Sequence, residues 1–178
     1  MSDVYYPPPA FYFRVTVLGV GALLAEATGV DASFQEVSGI EARWETEEVA
    51  EGGENRFVHV LPRPARYANL VLKRGVVTRD SFFAEWVGQT VGSGLSLPIL
   101  PQTLLVTLQN PDGWPVVAWA FVNAWPLRWV TAPLDAMRNE VLTETMEFQY
   151  NYFERITLGG GLSATVKLAQ LAARLAPR

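Results

Sequence analysis

The stretch TLLVTLQNPDGWPVVAWAFVNAWPLRW, Thr103–Trp129, contains two apolar runs of different kinds with a turn between them. In Thr103–Leu108 the side chains alternate, Leu104, Val106 and Leu108 opposing Thr103, Leu105 and Thr107, which is the period of a strand with two unlike faces. Trp114–Val130 is instead apolar at both parities, as a strand is when both of its sides are covered. Asn110-Pro111-Asp112-Gly113 lies between them and supplies the residues that a tight reversal requires. The stretch therefore reads as an antiparallel hairpin whose second arm is buried on two faces. Trp119, Trp125 and Trp129 share parity, so an unbroken strand would put them on one face, although Pro126 interrupts it. Aromatic residues grouped this way belong to a core or a subunit contact more often than to a base-stacking or sugar platform.

The same alternation recurs on either side. Phe11, Phe13, Val15 and Val17 oppose Tyr12, Arg14 and Thr16. Leu142, Met146, Phe148 and Tyr150 oppose Val141, Thr143, Thr145, Glu147 and Gln149, with Glu144 breaking the apolar row, so that it is paired, at a rim or at an interface. One helix is expected over Ser81–Val91, where Phe83, Trp86, Val87 and Val91 fall three and four apart, with Asp80 as its cap. Gly92, Gly94 and Pro98 end it. Antiparallel strands with one helix laid against them give a mainly β fold, a barrel or sandwich with one flanking helix.

Two regions do not suit a self-contained monomer. In Glu41–Leu61, glutamates 45, 47, 48, 51 and 54 surround Gly52-Gly53, and Arg56-Phe57-Val58-His59-Val60 follows. This reads as a long protruding hairpin, too charged on its first arm to lie in a core, with edges open to strand addition. The second region follows Leu158. Gly159-Gly160-Gly161 makes a hinge, and Ser163–Ala176 has Leu168, Leu171 and Leu175 at helical spacing. Such a short helix is marginal alone, so it either docks on a partner, the favoured reading, or frays. The division is thus 1–158 for the β domain and 159–178 for a Gly-hinged extension. Tyr5-Tyr6-Pro7-Pro8-Pro9 reads as an extended arm.

Composition narrows the function. Charged residues are 18% and apolar ones 49% of 178 residues, against roughly 25% charged in an average soluble domain, so either the core is generous or some apolar surface is reserved for partners. A net charge of −4 argues against a nucleic-acid surface. Arg63, Arg66, Lys73 and Arg74 form the one dense basic group, too small for a phosphate track and suited to pairing with nearby glutamates. There is no cysteine and one histidine, His59, so thiol chemistry and Cys-ligated zinc are excluded, and a Ser-His-Asp triad would rest on His59 alone. No G-x-S-x-G elbow occurs, and the glutamates around Gly52 lack calcium-loop spacing. Gly19-Val20-Gly21-Ala22 lacks the third glycine of a dinucleotide loop. No catalytic, cofactor or metal residue is assigned. No apolar run reaches the roughly 20 residues of a spanning helix and no signal peptide opens the chain, so cytoplasmic synthesis is expected.

Specific strings add to this reading. SFQEVSGIEARWETEEVAEGGENRFVHVLPRPARYANLVLKRGV (33–76) resembles the most recognisable block of the contractile-tail tube proteins, found in contractile phages and extracellular injection particles. The Phe-x-Phe-x-Val opening strand, the helix after KRGVVTRD, the Thr103–Trp129 hairpin and NEVLTETMEFQYNYFERI (139–156) match that family in order, over roughly Pro7 to Ile156. The resemblance implies a fold close to the haemolysin-coregulated protein of type VI secretion, a small antiparallel β-barrel with one flanking helix. It implies a structural subunit of the inner tube of a phage tail or injection particle: a homo-hexameric ring stacked with adjacent tube rings, enclosed by a sheath and meeting baseplate or spike proteins, with no enzymatic role and no membrane anchor. EGGENRFVHVLP is more similar to baseplate-proximal tube paralogues than to the abundant tube subunit. Members usually end soon after the last strand, so the extension departs from the pattern. The subunit-interface candidates are Glu45, Glu47, Glu48, Gly52, Gly53, Arg56, His59, Arg63 and Arg66. The lumen candidates are Thr143, Thr145, Glu147 and Gln149. The alternative is a monomeric β-barrel that binds a small molecule in its interior.

Overall fold

The computed structural model describes residues 10, 12–18, 34–53, 56–78, 81–137, 139–159, 166–167, 170 and 174. In chain order the elements are β1 (Phe13–Leu18), β2 (Glu36–Ser38), β3 (Ala42–Val49), β4 (His59–Tyr67), β5 (Leu70–Gly75), α1 (Phe82–Gly92), β6 (Gln102–Gln109), β7 (Pro115–Thr131), β8 (Thr143–Gln149) and β9 (Tyr152–Thr157). All pairings are antiparallel. The expected hairpin is present: Gly113 N donates to Asn110 O, and the Asn110 side-chain oxygen accepts from Trp114 N at 2.7 Å.

β7 organises the rest. Its 17 residues exceed the roughly 3–10 of an ordinary strand, and it bends where Asn123 takes a positive φ of 54°, a conformation that asparagine tolerates better than most residues. Before the bend β7 pairs with β6 and β9; after it Ala124 still pairs with Gln102 of β6, and from Trp125 on, β7 pairs with β8. The seven-stranded sheet, ordered β1-β6-β7-β8-β5-β2 with β9 on β7, thus folds at β7 into two layers. Layer A is β1, β6, the first half of β7, and β9. Layer B is the second half of β7, then β8, β5 and β2. Strands that cross between layers at a bulge are the usual way to build such a corner.

The core lies between the layers and is closed by α1. Val15, Val17, Leu104, Val106 and Phe121 of layer A meet Leu70, Leu72, Met146 and Phe148 of layer B, with Phe83, Trp86 and Val87 of the helix. Trp86 stacks on Phe148 at 5.4 Å and Phe121 meets Tyr150 edge-on at 4.9 Å. Because these rings fill the interior, a ligand-holding barrel does not fit. A cavity of about 380 Å³ lies instead in the β7–β8 loop, between Ala132 and Thr143.

Several expectations are corrected. Among the described strands no closed barrel forms: β1 and β2 stand at the two ends of the strand order. The helix cap is Ser81, whose hydroxyl accepts from Ala84 N, while Asp80 lies outside the described residues. Val91 is exposed, because the helix ends one residue later and the stripe runs past the sheet. The three tryptophans do not share a face. Register shifts after Gln102 and between Pro126 and Arg128 put Trp125 beside Gln149 and Trp129 beside Met146, on opposite sides of layer B. The tail helix, the arm at Tyr5–Pro9 and Gly19–Ala22 lie outside the described residues, except that Val166, Lys167, Gln170 and Arg174 have helical backbone. No helix among the described residues is long and apolar enough to cross a membrane.

Candidate subunit interface

The β3–β4 ribbon continues the β2–β5 pair and leaves the body of the molecule at Gly39. There φ is +83°, and a β-carbon would sit 1.9 Å from the Asn69 carbonyl oxygen, so only glycine fits this joint. Beyond it the two strands pair with each other in a separate two-stranded sheet. β4 carries Pro62 and Pro64, which donate no N–H, so this strand suits an edge. The register shift between Trp44 and Thr46 is taken up on β4 around Arg63–Pro64. At the tip, Gly52-Gly53 makes the turn, with Gly53 at a φ of +98°.

Both faces of the ribbon are exposed and both are mixed. Glu47, Leu61, Val49 and His59 share one face; Thr46, Pro62, Glu48 and Val60 share the other. Trp44, Val60, Leu61 and Phe57 are 68, 57, 52 and 51% exposed. Cross-strand ion pairs join Arg66 to Glu45 at 3.3 Å and Arg63 to Glu47 at 3.9 Å, and His59 Nε2 lies 3.1 Å from a Glu51 carboxylate oxygen near the tip. At this exposure each contributes at most about 1 kcal/mol. An isolated two-stranded ribbon is marginal in water, and this one exposes large apolar side chains that the subunit does not cover. All nine interface candidates lie on it or at its tip.

The four lumen candidates share the half-buried outer face of β8. Register places Thr145 between Lys73 and Val130, and Glu147 between Val71 and Arg128. Glu36 pairs Lys73 on the far side, and Asn69 donates to Glu147 at 2.7 Å. The face thus carries charges of both signs, with Val71 and Val130 among them. Lys73, Arg128 and Glu36 join it unforeseen, because only the pairing register reveals them.

The inner face of layer B has its own polar group. Arg74 and Glu144, 1 and 3% exposed, meet at 2.7 Å, and Arg74 also donates to Ser81 Oγ at 2.7 Å. Trp129 Nε1 donates to the second Glu144 oxygen at 3.0 Å, and the guanidinium lies over the Phe34 ring at 5.4 Å. This network ties the N-terminus of α1 to β5, β7 and β8. Glu144 is therefore paired, and Arg74 does not join the basic surface group. The signal was present in the sequence, since Arg74 continues the Leu70, Leu72 row.

Burial pushes the Tyr150 hydroxyl up to about 12, with smaller contributions from Tyr67 and Glu41. Among the described residues no group of three or more His, Cys, Asp or Glu is placed to hold a metal.

The model of a family described as T4-like virus tail tube protein gp19 matches residues 9–154. Among solved structures, a chain of the anti-feeding prophage baseplate, six-fold symmetrised, is 26% identical with a TM-score of 0.74, covering 86% of this chain and 98% of that one. A chain of the sheath-tube complex of an extracellular contractile injection system, in the extended state, is 21% identical with a TM-score of 0.69, covering 86 and 94%. A chain of the anti-feeding prophage tube-terminating cap is 23% identical with a TM-score of 0.69, covering 87 and 94%. At these last two identities the likeness is one of fold. No curated protein matches.

Proposed function

This chain belongs to the T4-like virus tail tube family, and from that premise we propose that it is a ring subunit of the inner tube of a contractile injection particle or phage tail. The tube role follows from the family. The finer reading is a homo-hexameric ring that stacks on neighbouring tube rings inside a sheath and serves at the baseplate end of the tube, without catalysis and after synthesis in the cytoplasm. In that reading residues 1–158 are the ring-forming domain and 159–178 an extension. The baseplate position is favoured by the likeness, at 26% identity, to a chain of a six-fold symmetrised baseplate.

The observation that carries the ring reading is the β3–β4 ribbon, exposed on both faces with Trp44, Phe57, Val60 and Leu61 uncovered. In a ring one surface of each subunit meets a different surface of the next, and a fixed rotation closes the circle. The open edges β1 and β2 would be completed by neighbours, which would make the wall of the lumen a continuous sheet. The outer face of β8 would then line the lumen, where charges of both signs would give passing cargo no single sign to bind.

The test is deletion of residues 51–55 from the full chain, followed by light scattering and electron microscopy. The expected outcome is a folded subunit that makes few rings or unstable stacks, beside intact assemblies from the unaltered chain. Normal stacked tubes from the deletion would overturn the ribbon's role. In assembled particles, neutralising Glu147 should alter cargo passage and spare the ring, whereas failure to assemble would put the β8 face at a contact.

A further inference from the structure

The middle of the second face of layer A is buried, yet the described strands do not bury it. Register lines up Arg14, Thr107, Ala118 and Ile156 in one row and Thr16, Leu105, Ala120 and Glu154 in the next. Leu105, Thr107, Ala118 and Ala120 are at most 4% exposed. The apolar neighbours described for this cluster, Leu18, Ile156 and Leu158, belong to the same sheet or follow it directly. Strand neighbours lie beside one another and cannot cover a pleated face from above. Closure of such a face needs a second layer packed on it.

A described residue from outside the sheet reaches this face. Arg174 donates from Nη2 to Glu154 Oε2, and Glu154 is the register partner of Ala120. Both side chains are more than a third exposed, so the pair marks position and contributes little energy. Val166, Lys167, Gln170 and Arg174 are helical and exposed, and at 100° per residue they occupy one side of a helix. The opposite side of that stretch of sequence carries Ala164, Leu168, Leu171 and Leu175. Alanine at both 118 and 120 leaves a shallow floor on which a helix can lie close.

We propose that this face of layer A is the docking surface for the chain's own C-terminal segment, residues 164–175, seated through its leucine side. The extension is then the second layer of its own subunit and not an arm reserved for a partner. It removes a flat apolar face from the surface available for assembly.

The chain contains no cysteine, so Glu154→Cys with Arg174→Cys in the full chain introduces the only two thiols. The reach of an Arg–Glu pair exceeds the Cα spacing of a disulfide, so a short bismaleimide is the probe. The expected result is near-complete conversion to an intramolecular product that migrates faster under denaturing conditions. Crosslinks between chains would show a neighbour's segment seated there, and absence of crosslinking would assign the cover to another part of the chain; either overturns the proposal. A chain ending at Gly159 should bind an apolar-surface dye several-fold more than the full chain, and equal binding would also overturn it. Neither readout depends on ring formation.

Discussion

Arg74–Glu144 and Arg66–Glu45 are the same pair of side chains at 2.7 and 3.3 Å, in opposite surroundings. The first is sealed in the core, where every charge must be answered, and it is answered by Ser81, Trp129 and the Phe34 ring. The second stands on the ribbon in solvent, where water and salt screen it. Burial turns an ion pair from an optional contact into a condition of folding. Around Arg74 the chain therefore builds rigidity within the subunit. On the ribbon it keeps charged and large apolar groups that the isolated subunit leaves exposed.

The largest effect should come from breaking the buried pair. Arg74→Met leaves Glu144 charged and enclosed, an arrangement that costs about 3–5 kcal/mol when one partner of a buried pair is lost. Urea unfolding followed by tryptophan fluorescence reads it directly. The double variant Arg74→Met, Glu144→Leu should recover part of that loss, because no orphan charge remains. A single variant within 1 kcal/mol of the parent would show that the network is dispensable and erase the contrast with the ribbon.

How far the sequence predicted this contrast depends on whether the signal was local. Alternation in Thr103–Leu108 and β8 identified strands and their faces, because side-chain direction is set by neighbours one and two residues away. The ribbon was legible from charge on extended sequence around Gly52-Gly53, and the shared face of Thr143, Thr145, Glu147 and Gln149 from parity alone. The Arg74–Glu144 pair spans 70 residues and required the register of β5 on β8, which no local pattern encodes. The bend in β7 was missed for a similar reason: Asn123 is an ordinary residue until φ turns positive, and that bend together with the register shift between Pro126 and Arg128 separated three tryptophans of equal parity. The closed barrel expected of the subunit was not found, because alternation identifies strands and their faces but does not say whether the first and last strands of the order, β1 and β2, meet.

Tyr150 sharpens the contrast with a polar group buried without a charged partner. It is 3% exposed, and its hydroxyl has no hydrogen-bond partner among the described residues. Its folded-state value, raised from 10.0 to about 12, lies above the unfolded one, so the unfolded chain gives up the proton first. The associated stability is fully present below pH 10 and is lost as pH rises through 12. A shift of this size corresponds to about 2–3 kcal/mol. Unfolding measured at pH 9 and pH 12 should show that loss in the parent and not in Tyr150→Phe, once the decline common to both is subtracted. Equal declines would mean that the ring is hydrated in solution. At pH 9 the variant itself should differ by less than about 1 kcal/mol, since no hydrogen bond is removed.

The smallest effect tests the other side of the comparison. A double-mutant cycle with Arg66→Ala and Glu45→Ala, measured on the unassembled subunit, should give a coupling of about 0.2–1 kcal/mol that fades in high salt. Side-chain exposures of 68 and 41% leave both groups hydrated before and after the pair forms, so little desolvation is recovered when it breaks. In assembled rings the same substitutions should weaken stacking more than they weaken folding, because a neighbour that excludes water lowers the dielectric around the pair and raises its worth. A coupling above 2 kcal/mol in the free subunit would place these side chains in a folded-state network of their own. The ribbon would then be part of the subunit's architecture, and its exposed apolar residues would need an explanation other than the ring.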